Sequence, residues 1–208
     1  MERDIPLFKP RFNIAPGQDV PVIVNADGKK TLKPIRWGLV PVWAKDSAIG
    51  NRMINARAET LAEKPAFKRL LTKRRCLVPA DGFYEWRKEG KGKVPLWISL
   101  KSGDLFSFAG LWDRWKKPDG GELESFTIVT TAPNEFIAPI HNRMPVILTG
   151  EGEKSWLDPE LTDIAKLRAL LAPYPSEEMT ANYVSKLVNS PANDIPQCLI
   201  PTGNYEVA

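Results

Sequence analysis

The stretch "RCLVPADGFYEWRKEGKGKVPLWISLKSGDLFSFAGLWDRWKKPDGGELESFTIVTT", residues 75–131, decides the fold. Five apolar or aromatic runs follow one another: "RCLVPA", "GFYEWRK", "VPLWISL", "LFSFAGLW" and "SFTIVTT". Each is of strand length and rich in β-branched and aromatic residues. The breaks "KEGKGK", "KSGD" and "KKPDGGE" combine Gly with Lys and Asp, which suits turns. The pattern predicts a run of antiparallel hairpins.

Upstream, "VPVIVN" (20–25) predicts a strand, "ADGKK" an Asp-Gly turn, and "TLKPIRWGL" (31–39) the returning strand. Residues 64–75 predict a short helix, with Pro65 in its first turn and Phe67, Leu70 and Leu71 on one face. "APNEFIAPI" (132–140) reads as one or two helical turns. "TDIAKLRALLA" (162–172) reads as an amphipathic helix capped by Thr162 or Asp163. The tail reads as short extended pieces. The fold class is α+β: a mainly antiparallel β core, a twisted sheet or open barrel of hairpins, with short peripheral helices.

The 208 residues suit one domain, 1–208, with no internal repeat. Lys and Arg exceed Asp and Glu by 29 to 25, a mildly basic balance that permits phosphate binding without demanding it. Two cysteines, Cys76 and Cys198, and one histidine, His141, disfavour disulfides and metal clusters. No metal and no cofactor is expected. The start "MERDIPLFKP" lacks a signal-peptide core, and no apolar run approaches the ~20 residues of a membrane span. The chain reads as soluble, free of membranes and intracellular.

Three places offer chemistry. In "MINARAET" (53–60), Asn55 and Arg57 share a face if the segment is extended. A hydrogen-bonded turn with a surface arginine fits that segment as well. In "PADGFYEWRK" (79–88), Glu85 alternates with aromatics, and desolvation there would raise its pKa toward acid–base use. A wet Glu85–Arg87 pair is the plainer reading. His141 follows a helix end and precedes a strand, with Arg143 two residues on to hold an anion beside the imidazole. A structural imidazole fits equally. No GxSxG, GxxxxGK[ST] or GxGxxG motif is present, and Cys76 sits in an apolar strand where thiols are inert.

Taken together, "RFNIAPGQ" (11–18), "RWGLVPVWAKD" (36–46), "MINARAET", "RCLVPADGFYEW" (75–86), "FAGLWDRW" (108–115), "FTIVTTAPNEFIAPIHNRMPVIL" (126–148) and "VNSP" (188–191) resemble the SRAP (SOS response-associated peptidase) family. The resemblance runs in order from Arg11 to about Pro191. It implies processing of abasic sites in single-stranded DNA. The amine and thiol of an N-terminal cysteine capture the sugar aldehyde as a Schiff base, then as a thiazolidine cross-link. A free α-amine has a pKa near ~8, so part of it is neutral at cellular pH. Carried over, Asn55 orients the cysteine or the sugar, Glu85 shuttles protons during ring opening, and His141 assists Schiff-base formation and reversal. Arg57 and Arg143 match positions that grip phosphates. Trp86, Pro16 and Thr130 are further candidates for DNA contact, although Trp86 alternates away from Glu85.

The family begins Met-Cys-Gly-Arg, whereas this sequence begins "MERDIPLF". The retained Asn55, Glu85, His141 and arginines favour truncation over a variant without the nucleophile. Other readings are a non-covalent binder of single strands or junctions, a weak lyase, and a cysteine peptidase acting on its own N-terminus. The expected partner is single-stranded DNA with abasic sites. The expected state is a cytoplasmic monomer, nucleoid-associated in a bacterium.

Overall fold

The computed structural model describes residues 9–26 and 28–206. Strands β1 (Asp19–Ala26) and β2 (Lys29–Trp37) form the predicted first hairpin. Its register pairs Ala26 with Lys29, and Gly28 has φ +78°. Asp27 of the predicted turn lies outside the described residues. A short β3 (Asn55–Arg57) precedes helix α1 (Pro65–Lys73). Strands β4 (Arg75–Ala80), β5 (Phe83–Glu89), β6 (Gly92–Leu100), β7 (Phe106–Lys116) and β8 (Glu122–Thr131) are the five runs of the opening stretch. After them come β9 (Met144–Pro145), β10 (Ile147–Leu148), α2 (Gly150–Leu157), α3 (Ile164–Ala169), β11 (Met179–Val184) and β12 (Pro201–Asn204).

Strands β1, β2, β8, β7 and β4 pair in a ring, with β4 returning to β1. Alternation explains both faces of that ring. Val22 and Val24 of β1, Cys76 and Val78 of β4, Phe108 and Trp112 of β7, and Phe126 and Ile128 of β8 join one core. The intervening Ile23, Leu77, Ala109, Leu111 and Val129 face the other way, onto α1, α2 and α3 through Phe67, Leu70, Trp156 and Leu167. Strands covered on both faces read as continuous apolar runs, which is why "RCLVPA" shows no polar alternation.

The hairpin expectation holds at "KEGKGK" (β5–β6) and "KKPDGGE" (β7–β8). It fails at "KSGD", where the chain crosses from one sheet to another. There β6 pairs with the distant β11, and a four-stranded sheet β12-β11-β6-β5 forms beside the barrel. The Lys101 amide donates to the Glu178 carbonyl and fixes that crossing. At the other crossing, before β5, Gly82 lets the Trp97 ring lie on the backbone; a Cβ there would sit 2.3 Å from the ring.

One expectation for a helical segment holds and one helix is new. Residues 135–140 form the expected one or two helical turns, closed by the Ala138 amide on the Asn134 carbonyl and the His141 amide on the Ile137 carbonyl. Asn134 sets them up by accepting the Ile137 amide on Oδ1, while its Nδ2 donates to the Tyr174 carbonyl. Helix α2 was not expected, because "GEGEKSWL" carries two glycines and little apolar pattern. Its Trp156 is fully buried and donates Nε1 to the Cys76 carbonyl. Asp163 is the cap of α3, accepting from the Ala165 and Lys166 amides.

Candidate functional site

The C-terminal end of β8 organises the site. Strand β3 lies parallel along one side of it, pairing Asn55 with Ile128 and Arg57 with Thr130. Strand β9 lies antiparallel on the other side, pairing Thr130 with Pro145. Ala56 is buried while Asn55 and Arg57 are exposed, so the predicted sharing of a face holds. Among the described residues neither the Asn55 amide group nor the Arg57 guanidinium has a side-chain hydrogen bond, and Arg57 has no ion pair.

His141 ends the turn set up by Asn134, and its amide donates to the Ile137 carbonyl. Ile137 and Ile140 plug that turn into the core, leaving His141 outside with 43% of its side chain exposed. Nδ1 lies 3.0 Å from the Arg143 carbonyl oxygen and 3.2 Å from the Arg143 amide nitrogen. Either tautomer therefore engages Nδ1 locally, and Nε2 has no hydrogen-bond partner among the described residues.

Glu85 reaches the histidine from the other sheet. It sits on β5 opposite Leu96, with Oε1 3.8 Å from His141 Nδ1 and 21% of its side chain exposed. Burial raises its pKa above the usual carboxylate value, and the His141 charge pulls the other way. The arrangement joins a carboxyl group that holds its proton more readily than usual to an imidazole with one free nitrogen. Such a pair can pass protons to and from a bound group.

Arg143 is held by the protein. Its Nη1 and Nη2 donate to the two carboxylate oxygens of Glu59 at 2.7 and 3.0 Å, and Nη2 also donates to the Thr130 carbonyl at 2.6 Å. The Arg143 bond holds the Glu59 carboxyl below its ordinary pKa. Sequence reasoning gave Glu59 no role. Its partner stands 84 positions away, and only the β3–β8–β9 register brings the two together. Asn134 was also missed, although an Asn just before a turn is a recognisable capping signal.

None of the remaining candidates hydrogen-bonds through its side chain to Glu85 or His141 among the described residues. Trp86 points to the opposite face of β5, packs with Val184, Val188 and Cys198, and donates Nε1 to Asn189 Oδ1 at 2.8 Å. Pro16 is exposed in the turn 15–18, where the Gly17 amide donates to the Trp37 carbonyl. Trp37 Nε1 in turn donates to the Ile54 carbonyl beside Asn55. Thr130 is buried under Arg143.

Cys76 and Cys198 are both buried. Burial pushes the Cys76 thiol pKa up, and Cys198 Sγ donates to the Asn193 carbonyl. Among the described residues no cluster of three or more His, Cys, Asp and Glu side chains is set to hold a metal, and no helix is long and apolar enough to cross a membrane.

Fold and site together define a barrel-and-sheet domain with a histidine–carboxyl pair between its two sheets and arginines beside it. The family described as SOS response associated peptidase (SRAP) matches residues 1–191, and the chain belongs to that family. It is 51% identical over 193 residues to the abasic site processing protein YoqW of Bacillus subtilis (strain 168), covering 92% of this chain and 86% of that one. It is 36% identical over 239 residues to the abasic site processing protein HMCES of Pongo abelii, covering 96% of this chain and 67% of that one. A crystal structure of a Bacteroides thetaiotaomicron protein superposes with a TM-score of 0.82 at 36% identity, over 89% of this chain and 82% of that one.

Proposed function

We propose that this chain processes abasic sites in single-stranded DNA, with Glu85 and His141 as its proton-transfer pair. The observation that carries the reading is the 3.8 Å approach of Glu85 Oε1 to His141 Nδ1, with the carboxyl pKa raised by burial. The names of relatives at 51% and 36% identity support the substrate class.

In this reading the closed sugar of an abasic site opens to its aldehyde as Glu85 moves a proton onto the ring oxygen. The amine of an N-terminal cysteine then adds to the aldehyde carbon. The carbinolamine loses one water to give the Schiff base, with His141 handling the protons. Addition of the thiol to the imine carbon closes a thiazolidine and leaves a covalent cross-link. Asn55 orients the cysteine or sugar, and Arg57, exposed and without an ion pair among the described residues, meets a phosphate. Neither Cys76 nor Cys198 serves as the nucleophile, since both are buried. The same burial argues against a peptidase built on either thiol. The working form is a monomer in the cytoplasm.

The test gives the chain a Met-Cys-Gly-Arg start and incubates it with a single-stranded oligonucleotide carrying one abasic site. A heat-stable adduct on a denaturing gel is expected. No adduct, with the protein folded, refutes the covalent reading.

Non-covalent strand binding is a second reading, favoured by the exposed Arg57 and by Trp43, which is 57% exposed. It predicts an affinity that falls with salt and no covalent product. Affinity independent of salt counts against it.

A further inference from the structure

The two arginines beside β8 are held differently. Arg57 is exposed and has no ion pair among the described residues. Arg143 is 22% exposed and spends three N–H groups on Glu59 and the Thr130 carbonyl. Its Nε is buried without a hydrogen-bond partner among the described residues, so this orientation does not maximise the bonds of Arg143 itself. A donor left unpaired in that way calls for an explanation outside its own contacts. Glu59 is anchored in turn. It sits in the 3-10 turn Ala58–Thr60, directly after β3, and its carbonyl accepts from Arg168 Nη2.

We infer that Glu59 is a positioning residue for strand binding, bracing the Arg143 guanidinium against the Thr130 carbonyl so that a backbone phosphate meets a cation already fixed in place. This rests on the single-stranded DNA reading above. A free arginine must give up its rotamer freedom on gripping a phosphate, and a braced one has already done so. The sign of the effect separates this role from plain charge. Removing a carboxylate from a DNA-binding face should strengthen binding by Coulomb attraction alone. Removing a brace weakens it.

The experiment measures fluorescence anisotropy of a labelled single-stranded oligonucleotide, without an abasic site, against the full chain at two salt concentrations. Glu59→Gln is expected to weaken binding about three- to tenfold, the scale of one lost preorganised contact. Glu59→Asp keeps the charge and is expected to lose less. In an Arg143→Ala background, Glu59→Gln is expected to have no further effect. Unchanged or tighter binding by Glu59→Gln overturns the inference and makes Glu59 a competitor of phosphate. A further loss in the Arg143→Ala background also overturns it, because Glu59 then acts through something else. If Arg57→Ala/Arg143→Ala binds as well as wild type, the strand-binding reading itself fails.

Discussion

Glu85 stands on β5 of the four-stranded sheet and His141 in the connection that leads into β9, and they meet with Oε1 3.8 Å from Nδ1. The barrel and the four-stranded sheet share one hydrophobic core, in which Leu96 and Ile98 pack with Phe126 and Ile128. Ile137 and Ile140 of the turn before His141 lie in the same core, so core packing sets the separation of the pair. Replacing Glu85 with Gln, or His141 with Ala, should slow adduct formation by the Met-Cys-Gly-Arg form by about 10²- to 10⁴-fold, the usual scale of a positioned proton donor or acceptor. Initial rates on a denaturing gel measure this. Wild-type rates in both variants would remove the pair from the mechanism.

The raised pKa of Glu85 also predicts how stability changes with pH. The folded chain binds this proton more tightly than the unfolded chain does. The resulting stabilisation is fully present below the ordinary carboxylate pKa and is lost as pH rises through the folded value. Glu85→Gln has no such dependence. It should melt above wild type at neutral pH, with the gap closing as pH falls from neutral to the ordinary carboxylate pKa. A gap of constant size in thermal melts across that range contradicts the assignment.

Arg75 is a structural counterpart to the exposed arginines. It is 6% exposed and donates to the Leu71 carbonyl at 2.8 Å, the Trp156 carbonyl at 2.6 Å, and the Asp158 carbonyl. These are C-terminal carbonyls of α1 and of α2 with its following residue, groups that helices leave unpaired. Arg75→Met keeps the apolar stem but strands the carbonyls, so a loss of about 2–4 kcal/mol is expected. A urea titration should show a lower midpoint at unchanged slope.

Residues 11–13 are latched to the segment 188–194. Asp194 accepts the Phe12 and Asn13 amides and pairs with Arg11, while Asn13 Nδ2 faces the Val188, Ser190 and Asn193 carbonyls. Asp194→Ala leaves two amides without acceptors and should cost about 1–3 kcal/mol. Limited proteolysis should then cut near residues 11–13 faster than in wild type. Equal cutting rates would show that the latch is not what holds the segment.

Both thiols should be silent in the native state. Cys76 and Cys198 are 0% exposed, so a thiol-reactive reagent should label neither until denaturant unfolds the chain. Rapid native labelling of Cys76 would reopen the peptidase reading.

The strands from β4 to β8 were legible because their signal is local. Alternation, β-branched and aromatic residues, and Gly-Lys-Asp breaks each act within a few residues. Asn55 and Arg57 on one face of β3, and Glu85 facing away from Trp86, follow from the same two-residue period. Helix α2 was not legible, since two glycines masked a segment that is helical because Trp156 is buried beneath it. The crossing at "KSGD" was not legible either, because β6 finds its partner in β11, far along the chain. The sequence by itself determined which residues alternate, which turns are tight, and which family the ordered motifs resemble. Only the tertiary structure decided that Glu85 stands against His141 and that Glu59 holds Arg143. Backbone periodicity sets the face on which a side chain emerges. Contact between distant segments depends on sheet register and shared burial, which no local pattern encodes.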